Sequence, residues 1–403
     1  MKAKLATVLV PLLLAGASLG QPGNLVGSID NPQPLPASYT KFGSQIVVAG
    51  NNLMVSAPGA GKIYVFNANT RSLVRTLNNP TGTFGDSMSG NGNLVAVGDY
   101  GDRTVSVFNY TTGQVVRTFS NSAVTDYGYT TAMVGNYLAV GCYSNPGIFV
   151  YSLTTGNLVS TCRNPTTDNA YFGRSISECG AGRLLVGHAG YDSPGVTNSG
   201  AAYLYDMATG ALLRTFLPDT TAPAPQWAYK EFGISVGHIG DDPLISCWST
   251  AYRFNDEDGA LMWKNDQGAR SVFAAMGDSV VVAHDTTAVQ LSGTSGKSLL
   301  TVSTNLVDGD HFLWGIAAYG DDIFLGDMYA RRYWSGTSGA WNNQVGKVYE
   351  FQMIPEPASL CLFALGGLAL IRGRKKHPTR IHSDLRSGYG GEGKARQSRQ
   401  VLP

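Results

Sequence analysis

The sequence predicts an all-β chain folded as a seven-bladed β-propeller, and three observations carry that expectation. A unit of about 45 residues recurs seven times, each unit holds four short apolar runs, and the composition is rich in glycine and poor in charge. Glycine occupies 50 of 403 positions, and charged residues make up 14%. An ordinary soluble domain has about 7% glycine and about 25% charged residues. With 20 tyrosines, this composition argues against a helical bundle and suits many short strands joined by tight turns.

The first unit opens at Phe42-Gly43 and runs through Gly50-Asn51 and Lys62–Asn67 to Leu73–Leu77. The second repeats it with Phe84-Gly85, Gly92-Asn93, Val105–Asn109 and Val115–Phe119. Turn glycines recur at Gly50, Gly92, Gly135, Gly182, Gly240, Gly277 and Gly320. An aromatic opener recurs at Phe42, Phe84, Tyr127, Phe172, Phe232 and Trp314, and only the sixth unit lacks it. A Gly-Asn step joins the first two runs as a hairpin turn does, and Thr112-Gly113, Thr155-Gly156 and Thr209-Gly210 join the last two. The seventh unit stops after its third run, Gly346–Phe351. The segment Asn24–Pro32 matches the fourth run and turn of unit three, Asn157–Pro165. Leu25–Ile29 is therefore expected to pair with the last blade as its outer strand, joining the termini and covering an edge that an open ring would leave bare. The propeller is expected over residues 21–353.

These units resemble FG-GAP repeats, the integrin α-chain type of propeller. Phe42-Gly43, Phe84-Gly85, Phe172-Gly173 and Phe232-Gly233 match the opener, Ser56-Ala57-Pro58 the closing Gly-Ala-Pro, and Val97-Gly98-Asp99 matches that closing more loosely. The family often carries a calcium loop of several aspartates between the first two strands. Here the richest such turns, Gly240-Asp241-Asp242 and Gly320-Asp321-Asp322, offer two carboxylates each. A hard cation takes six to eight oxygens, so no calcium is expected there.

Both ends read as addresses. Met1–Lys4 is positive, Leu5–Gly16 is apolar, and Ser18-Leu19-Gly20 supplies small residues, as in a secretory signal peptide over residues 1–20. Near the other end, Pro355-Glu356-Pro357 precedes an uncharged run to Ile371, followed by Arg372, Arg374, Lys375 and Lys376. Such a run enters lipid while a basic cluster holds its end in the cytoplasm. This order resembles the PEP-CTERM sorting signal over residues 354–376. The resemblance implies a single transmembrane sorting helix, cutting by an exosortase-type enzyme near Pro355–Pro357, and a bacterial protein exported to the cell envelope or beyond. Residues 377–403 depart from that pattern as an added polar, basic, glycine-rich tail, expected to be disordered. From Arg372 onward stand nine Lys/Arg and two Asp/Glu, whereas residues 21–371 hold 18 basic and 26 acidic groups. The body is thus mildly acidic, and no nucleic-acid partner is expected.

Aligned by their turn glycines, the units place Ala57, Asp99, Cys142, Cys247, His284 and Asp327 at one position, with His188 joining after a one-residue slip. Strand two is not the innermost strand, so neighbouring blades hold these side chains too far apart for metal bonds of about 2.0–2.3 Å. No metal and no cofactor are expected. The next position holds Tyr100, Tyr143, Trp248 and Tyr329, with Tyr191 nearby. Aromatics ringing a face stack on sugars or anchor a protein, although blades also use them for packing. Two insertions break the period, Leu217–Lys230 and Met328–Val345. The second carries Tyr329, Arg331, Arg332, Tyr333, Trp334 and Trp341, and long loops in tight repeats tend to be functional. Asp256-Glu257-Asp258 reads as a solvated turn, and Cys142 and Cys162 are expected not to pair because strand three separates them. With no catalytic constellation in sight, the sequence reads as a non-catalytic module that binds extracellular polysaccharide or protein. The rival is a quinoprotein-like oxidoreductase, suggested by the resemblance of Asp206–Leu213 and Asp258–Trp263 to blade endings of that type. A purely structural matrix protein is the third reading.

Overall fold

The computed structural model describes residues 23–353 except 34–39, 80–83, 144–146, 219–229, 249, 267–271, 285–286, 304–314 and 329–345. The proposed leader, the sorting segment, the basic tail, Trp314 and most of both insertions lie outside the described residues.

Among the described residues, 28 strands pair into seven antiparallel sheets of four, with one 3-10 turn at Pro58–Ala60 and no α-helix. The chain enters through β1 (Leu25–Asp30). Blade one is β2 (Ile46–Ala49), β3 (Asn52–Ala57), β4 (Lys62–Asn67) and β5 (Leu73–Asn78). Blade two is β6 (Ser87–Asn91), β7 (Leu94–Asp99), β8 (Thr104–Asn109) and β9 (Gln114–Ser120). Blade three is β10 (Thr130–Val134), β11 (Tyr137–Gly141), β12 (Gly147–Ser152) and β13 (Leu158–Arg163). Blade four is β14 (Phe172–Glu178), β15 (Arg183–His188), β16 (Ala201–Asp206) and β17 (Leu212–Phe216). Blade five is β18 (Ser235–Ile239), β19 (Asp242–Ser246), β20 (Ala251–Phe254) and β21 (Leu261–Asn265). Blade six is β22 (Val272–Met276), β23 (Ser279–His284), β24 (Thr287–Ser292) and β25 (Ser298–Ser303). Blade seven is β26 (Gly315–Tyr319), β27 (Asp322–Asp327) and β28 (Lys347–Gln352), with β1 paired outside β28. First strands of consecutive blades touch all round the ring, β26 against β2 included.

Turn chemistry explains why these segments pair. In six blades the first two strands are joined by two residues with glycine first, as in Gly50-Asn51 between the pair Ala49↔Asn52. Those glycines have φ between 53° and 60°. A positive φ at the first central position is the type II′ geometry, whose twist matches that of the flanking strands. Blade four uses a wider turn, with Gly180 and Gly182 at φ 74° and 72° and the Cys179 amide donating to the Arg183 carbonyl at 3.1 Å. Between third and fourth strands an Asn, Asp or Ser caps the turn. The Asn109 Oδ1 accepts from the amides of Thr111 and Thr112, and the Gly113 amide returns to the Asn109 carbonyl at 2.8 Å.

The aromatic-glycine opener sets the approach of neighbouring blades. The rings of Phe42, Phe84, Tyr127, Phe172 and Phe232 are fully buried. Each opener glycine stands beside the second strand of the preceding blade, so a Cβ at Gly98, Gly187 or Gly326 would lie 2.0–2.1 Å from a glycine carbonyl oxygen of the next blade.

The apolar core falls into seven clusters among the described residues, each shared by two adjacent blades. Alternation along a strand divides its side chains between two neighbours. Leu53 and Val55 pack toward blade seven, and Met54 between them packs toward blade two. Second strands are therefore buried on both faces and read as continuous apolar runs rather than alternating ones. The same division sends Cys142 into the core shared with blade two and Cys162 into that shared with blade four. Cys142, Cys162, Cys179 and Cys247 are buried free thiols, and burial pushes the first three up to about 12, which leaves them unreactive. Cys361 lies outside the described residues.

At the seam β1 runs antiparallel to β28 in the register Leu25↔Phe351, Ile29↔Val348 and Asp30↔Lys347. Elsewhere an outer-strand side chain packs over the turn glycine of the next blade, as Arg75 does over Gly113 and Arg117 over Gly156. At the seam the two roles are exchanged. Arg71 takes the left-handed turn position at φ 58°, and Gly27 stands on the outer strand. The missing side chain at Gly27 leaves room for the Arg71 guanidinium to form a two-pronged ion pair with Glu350, which is 1% exposed. Asp322, near this pair, is pushed up to about 6 by burial first and by Glu350 second, against Arg71. Its folded value lies above the unfolded value of about 3.9, so stability declines as pH rises through about 6. Asp322→Asn is expected to raise the thermal midpoint at pH 7 and to flatten its change between pH 5 and 7, which differential scanning calorimetry at both values checks.

Candidate functional site

First strands diverge around the ring axis, and a cavity of about 510 Å3 opens between them, lined from all seven blades. Its polar lining comes from hydroxyls that bridge neighbouring first strands. Ser87 donates to the Gly128 carbonyl at 3.0 Å, Thr130 donates to the Gly173 carbonyl at 2.8 Å, and the Ser175 Oγ accepts from the Val236 amide at 2.9 Å. Lys41, Asp86 and Arg174 supply the charge. Burial, partly opposed by Lys41, holds the Asp86 carboxyl above its ordinary range, and its Oδ2 is buried without a hydrogen-bond partner.

From this cavity a ladder of tyrosines crosses three blades. Tyr100 lies 5.6 Å from Tyr129, Tyr129 5.0 Å from Tyr143, and Tyr143 5.2 Å from Tyr171 by ring centroids, the last two contacts edge-to-face. Arg174 covers the rings of Tyr143 and Tyr171 at 5.9 and 5.5 Å. All five side chains are half-buried. Tyr100, Tyr129 and Arg174 line the cavity itself. The Asp86 charge raises the Tyr100 phenol, and burial raises that of Tyr143, so both stay neutral donors. Half-buried aromatic faces beside a guanidinium suit the C–H face of a sugar ring or a planar polar group.

The structure thus joins Tyr100 and Tyr143 through Tyr129. The sequence alignment missed Tyr129, Tyr171 and Arg174, which flank the openers Tyr127-Gly128 and Phe172-Gly173. Their signal is local, because residues just before an opener turn left-handed, Tyr171 at φ 64° and Asp126 at 56°. The Arg174 amide donates to the Tyr171 carbonyl and the Tyr129 amide to the Asp126 carbonyl, and these turns aim the following side chains at the axis. Trp248 is 37% exposed in blade five and is not part of the cavity lining. Tyr191, half-buried, packs on His188, 5.8 Å away, against the core shared by blades three and four. Tyr329, Arg331, Arg332, Tyr333 and Trp334 lie outside the described residues, as do Pro355, Glu356, Pro357, Arg372, Arg374, Lys375 and Lys376.

The position shared by Ala57, Asp99, Cys142, His188, Cys247 and Asp327 is buried in every case, and the side chain of His284 lies outside the described set. Asp99 accepts from the Asn79 amide group, and Cys142 packs in the core between blades two and three. His188 meets Phe172 and Tyr203, and burial drives it down to about 4, so it is neutral at physiological pH. Among the described residues no group of three His, Cys, Asp or Glu is placed to hold a metal ion. The acidic turn is solvated at Glu257 and Asp258, as expected, while Asp256 is half-buried. Asp256 pairs with Arg183 of blade four at 2.9 Å, and the Glu257 and Asp258 carbonyls accept from Arg214.

Fold and site together define a seven-bladed propeller with a ligand-sized axial cavity at the mouth of a tyrosine–arginine ladder. Residues 354–376 match the model of the PEP-CTERM protein-sorting motif. That motif is a substrate signal for exosortase processing and marks the chain as an exported protein whose precursor is membrane-anchored. No helix among the described residues is long and apolar enough to cross a membrane. No curated protein matches the sequence. Among solved structures the chain is similar to one titled as a mitotic checkpoint complex, with a TM-score of 0.58 at 12% identity over 88% of this chain and 99% of that one. It is also similar to the Cps50 (Swd1) β-propeller domain of Myceliophteria thermophila, with a TM-score of 0.60 at 11% identity over 83% and 100% of the two chains. BamB from Moraxella catarrhalis gives a TM-score of 0.52 at 14% identity over 82% and 99%. At these identities the likeness is one of fold alone.

Proposed function

We propose that the chain is a non-catalytic binding module of the cell envelope or extracellular matrix that holds a polysaccharide or a protein at its axial mouth. The ladder from Tyr100 to Arg174 carries this reading, because two of its rings and its guanidinium line a cavity of about 510 Å3 and the rings of Tyr143 and Tyr171 continue it from there. On the same reading residues 1–20 are removed as a signal peptide. Residues 357–371 cross the membrane as a helix until an exosortase-type enzyme cuts before them. The buried aromatic-glycine openers favour the FG-GAP-like type among propellers.

A glycan array and an envelope-protein pull-down with the exported protein test the reading. Tyr129→Ala and Arg174→Ala are each expected to weaken the ligand found by about tenfold, the effect of removing an interface anchor, with little change in thermal midpoint. Unchanged affinity in both variants, or turnover of the bound molecule, sinks it.

A further inference from the structure

We propose that the propeller rests on a zwitterionic lipid surface through the rim of one face, so that the axial cavity points away from the bilayer. In an antiparallel four-stranded blade the first-to-second and third-to-fourth turns share one end, here called the turn face. The cavity opens at the other end, among the segments that precede the first strands and follow the second.

Each outer strand begins on the turn face, and its first residues are bulged. Phe66 pairs with Leu73 and Val65 with Arg75, so Val74 is the extra residue, and the same slip recurs in all seven outer strands. A bulge breaks strict alternation, and two consecutive side chains can then both face solvent. In six outer strands that pair is apolar, and the sixth blade keeps Leu299 alone. These side chains, such as Val74, Val116 and Leu213, are 40–55% exposed. Singly exposed apolar residues are ordinary on a protein surface. A sevenfold set at one height of the blades is an apolar girdle of separate pairs, with Leu299 alone on the sixth, and exposure repeated in this way marks an interaction site.

The chain itself names the occupant. Both described ends lie on the turn face, where the Gly23 amide donates to the Gln352 carbonyl and the Met353 amide to the carbonyl of Asp321 in the first turn of blade seven. In the sequence the sorting motif opens at residue 354, directly after Met353. The turns on this face carry Asn and Thr with Arg71 in blades one to three, whereas in blades five to seven Asp241, Asp256, Glu257, Asp258, Asp278 and Asp321 outnumber Lys297 even with Asp256 paired to Arg183. Anionic headgroups are repelled by that sector, whereas zwitterionic ones accept both sectors. Amide and hydroxyl turns then sit among headgroups, and the girdle reaches the acyl boundary, a depth of about 5–10 Å.

The test uses the full chain with Cys361→Ser, whose other four cysteines are buried, reconstituted in phosphatidylcholine vesicles that carry an acyl-chain nitroxide. A bimane label is placed at Val116→Cys on the rim or at Ala123→Cys on the opposite face of the same blade. Quenching at the rim is expected to exceed that at Ala123→Cys by about threefold, as insertion to the acyl boundary requires. Equal quenching, or a chain that does not co-float with the vesicles, overturns the proposal. So does a rim label shielded from water yet unquenched, which would put protein rather than lipid on the girdle. The outcome is independent of whether any ligand binds at the ladder.

Discussion

Gly187→Ala is expected to lower stability by about 3 kcal/mol, the upper part of the range for forcing extra volume into a packed interior. A Cβ there would lie 2.0 Å from the Gly233 carbonyl oxygen, 3.0 Å from its carbon and 3.5 Å from its Cα. All three of these nearest atoms are backbone, so no rotamer change relieves the overlap. Gly233 is also pinned, because its amide donates to the Ser246 carbonyl at 2.8 Å and its own φ is 87°. Blade five must therefore move away from blade four, opening the core that Leu185, Leu204 and Ile245 share. Blade one holds Ser56 at the equivalent place, and its Oγ accepts from the Gln45 amide at 2.9 Å. Ser56→Ala removes only that bond, worth about 1 kcal/mol. Urea unfolding of the two variants side by side separates an inter-blade overlap from a general intolerance of substitution at buried second strands. Equal losses would mean that the spacing between blades is not set by these glycines.

The propeller was legible because its turns obey strong local rules. A glycine at the first place of a two-residue hairpin writes itself into the sequence at a fixed offset from each strand, and six blades keep that offset. The seventh case, blade four, has an arginine after its glycine, and there the turn is wider. The outer place of Leu25–Asp30 could also be read, because Gly23-Asn24-Leu25 repeats Gly156-Asn157-Leu158 and has the same relation to the strand that follows. The ladder was only half legible. Tyr100 and Tyr143 share an aligned position, whereas Tyr129 and Arg174 follow an aromatic-glycine opener and Tyr171 precedes one, at places where the residue type changes from blade to blade. What brings them together is the ring closing, which places blade four beside blade three. The same holds for Arg71 and Glu350, 279 residues apart in the chain. Nothing local to either residue announces the other, and only the exchange of glycine and side chain at Gly27 leaves a trace.

Deleting residues 23–30 is expected to abolish the cooperative unfolding transition of the propeller at 37 °C. Ile29, 5% exposed, leaves the core it shares with Val348 and Phe42, a loss of about 2–3 kcal/mol. The backbone bonds between β1 and β28 add about 1 kcal/mol each. The sum rivals the whole stability of an ordinary domain, about 5–15 kcal/mol. The deletion also leaves β28 as a bare edge beside Glu350, an invitation to pair with another chain. Aggregation is therefore the expected fate, and a peptide spanning residues 21–33, added in trans, is expected to restore a monomer with a single transition. Arg71→Ala separates the clasp from its ion pair. It strands the buried Glu350 carboxylate, and the loss is expected to be about 2 kcal/mol, below the 3–5 kcal/mol of a fully buried pair because Arg71 is 36% exposed. In the background of Glu350→Gln the same substitution is expected to cost under about 0.5 kcal/mol, since the charge it would strand is gone. A deletion variant that unfolds at the wild-type midpoint would show that β1 covers the last blade without holding the ring.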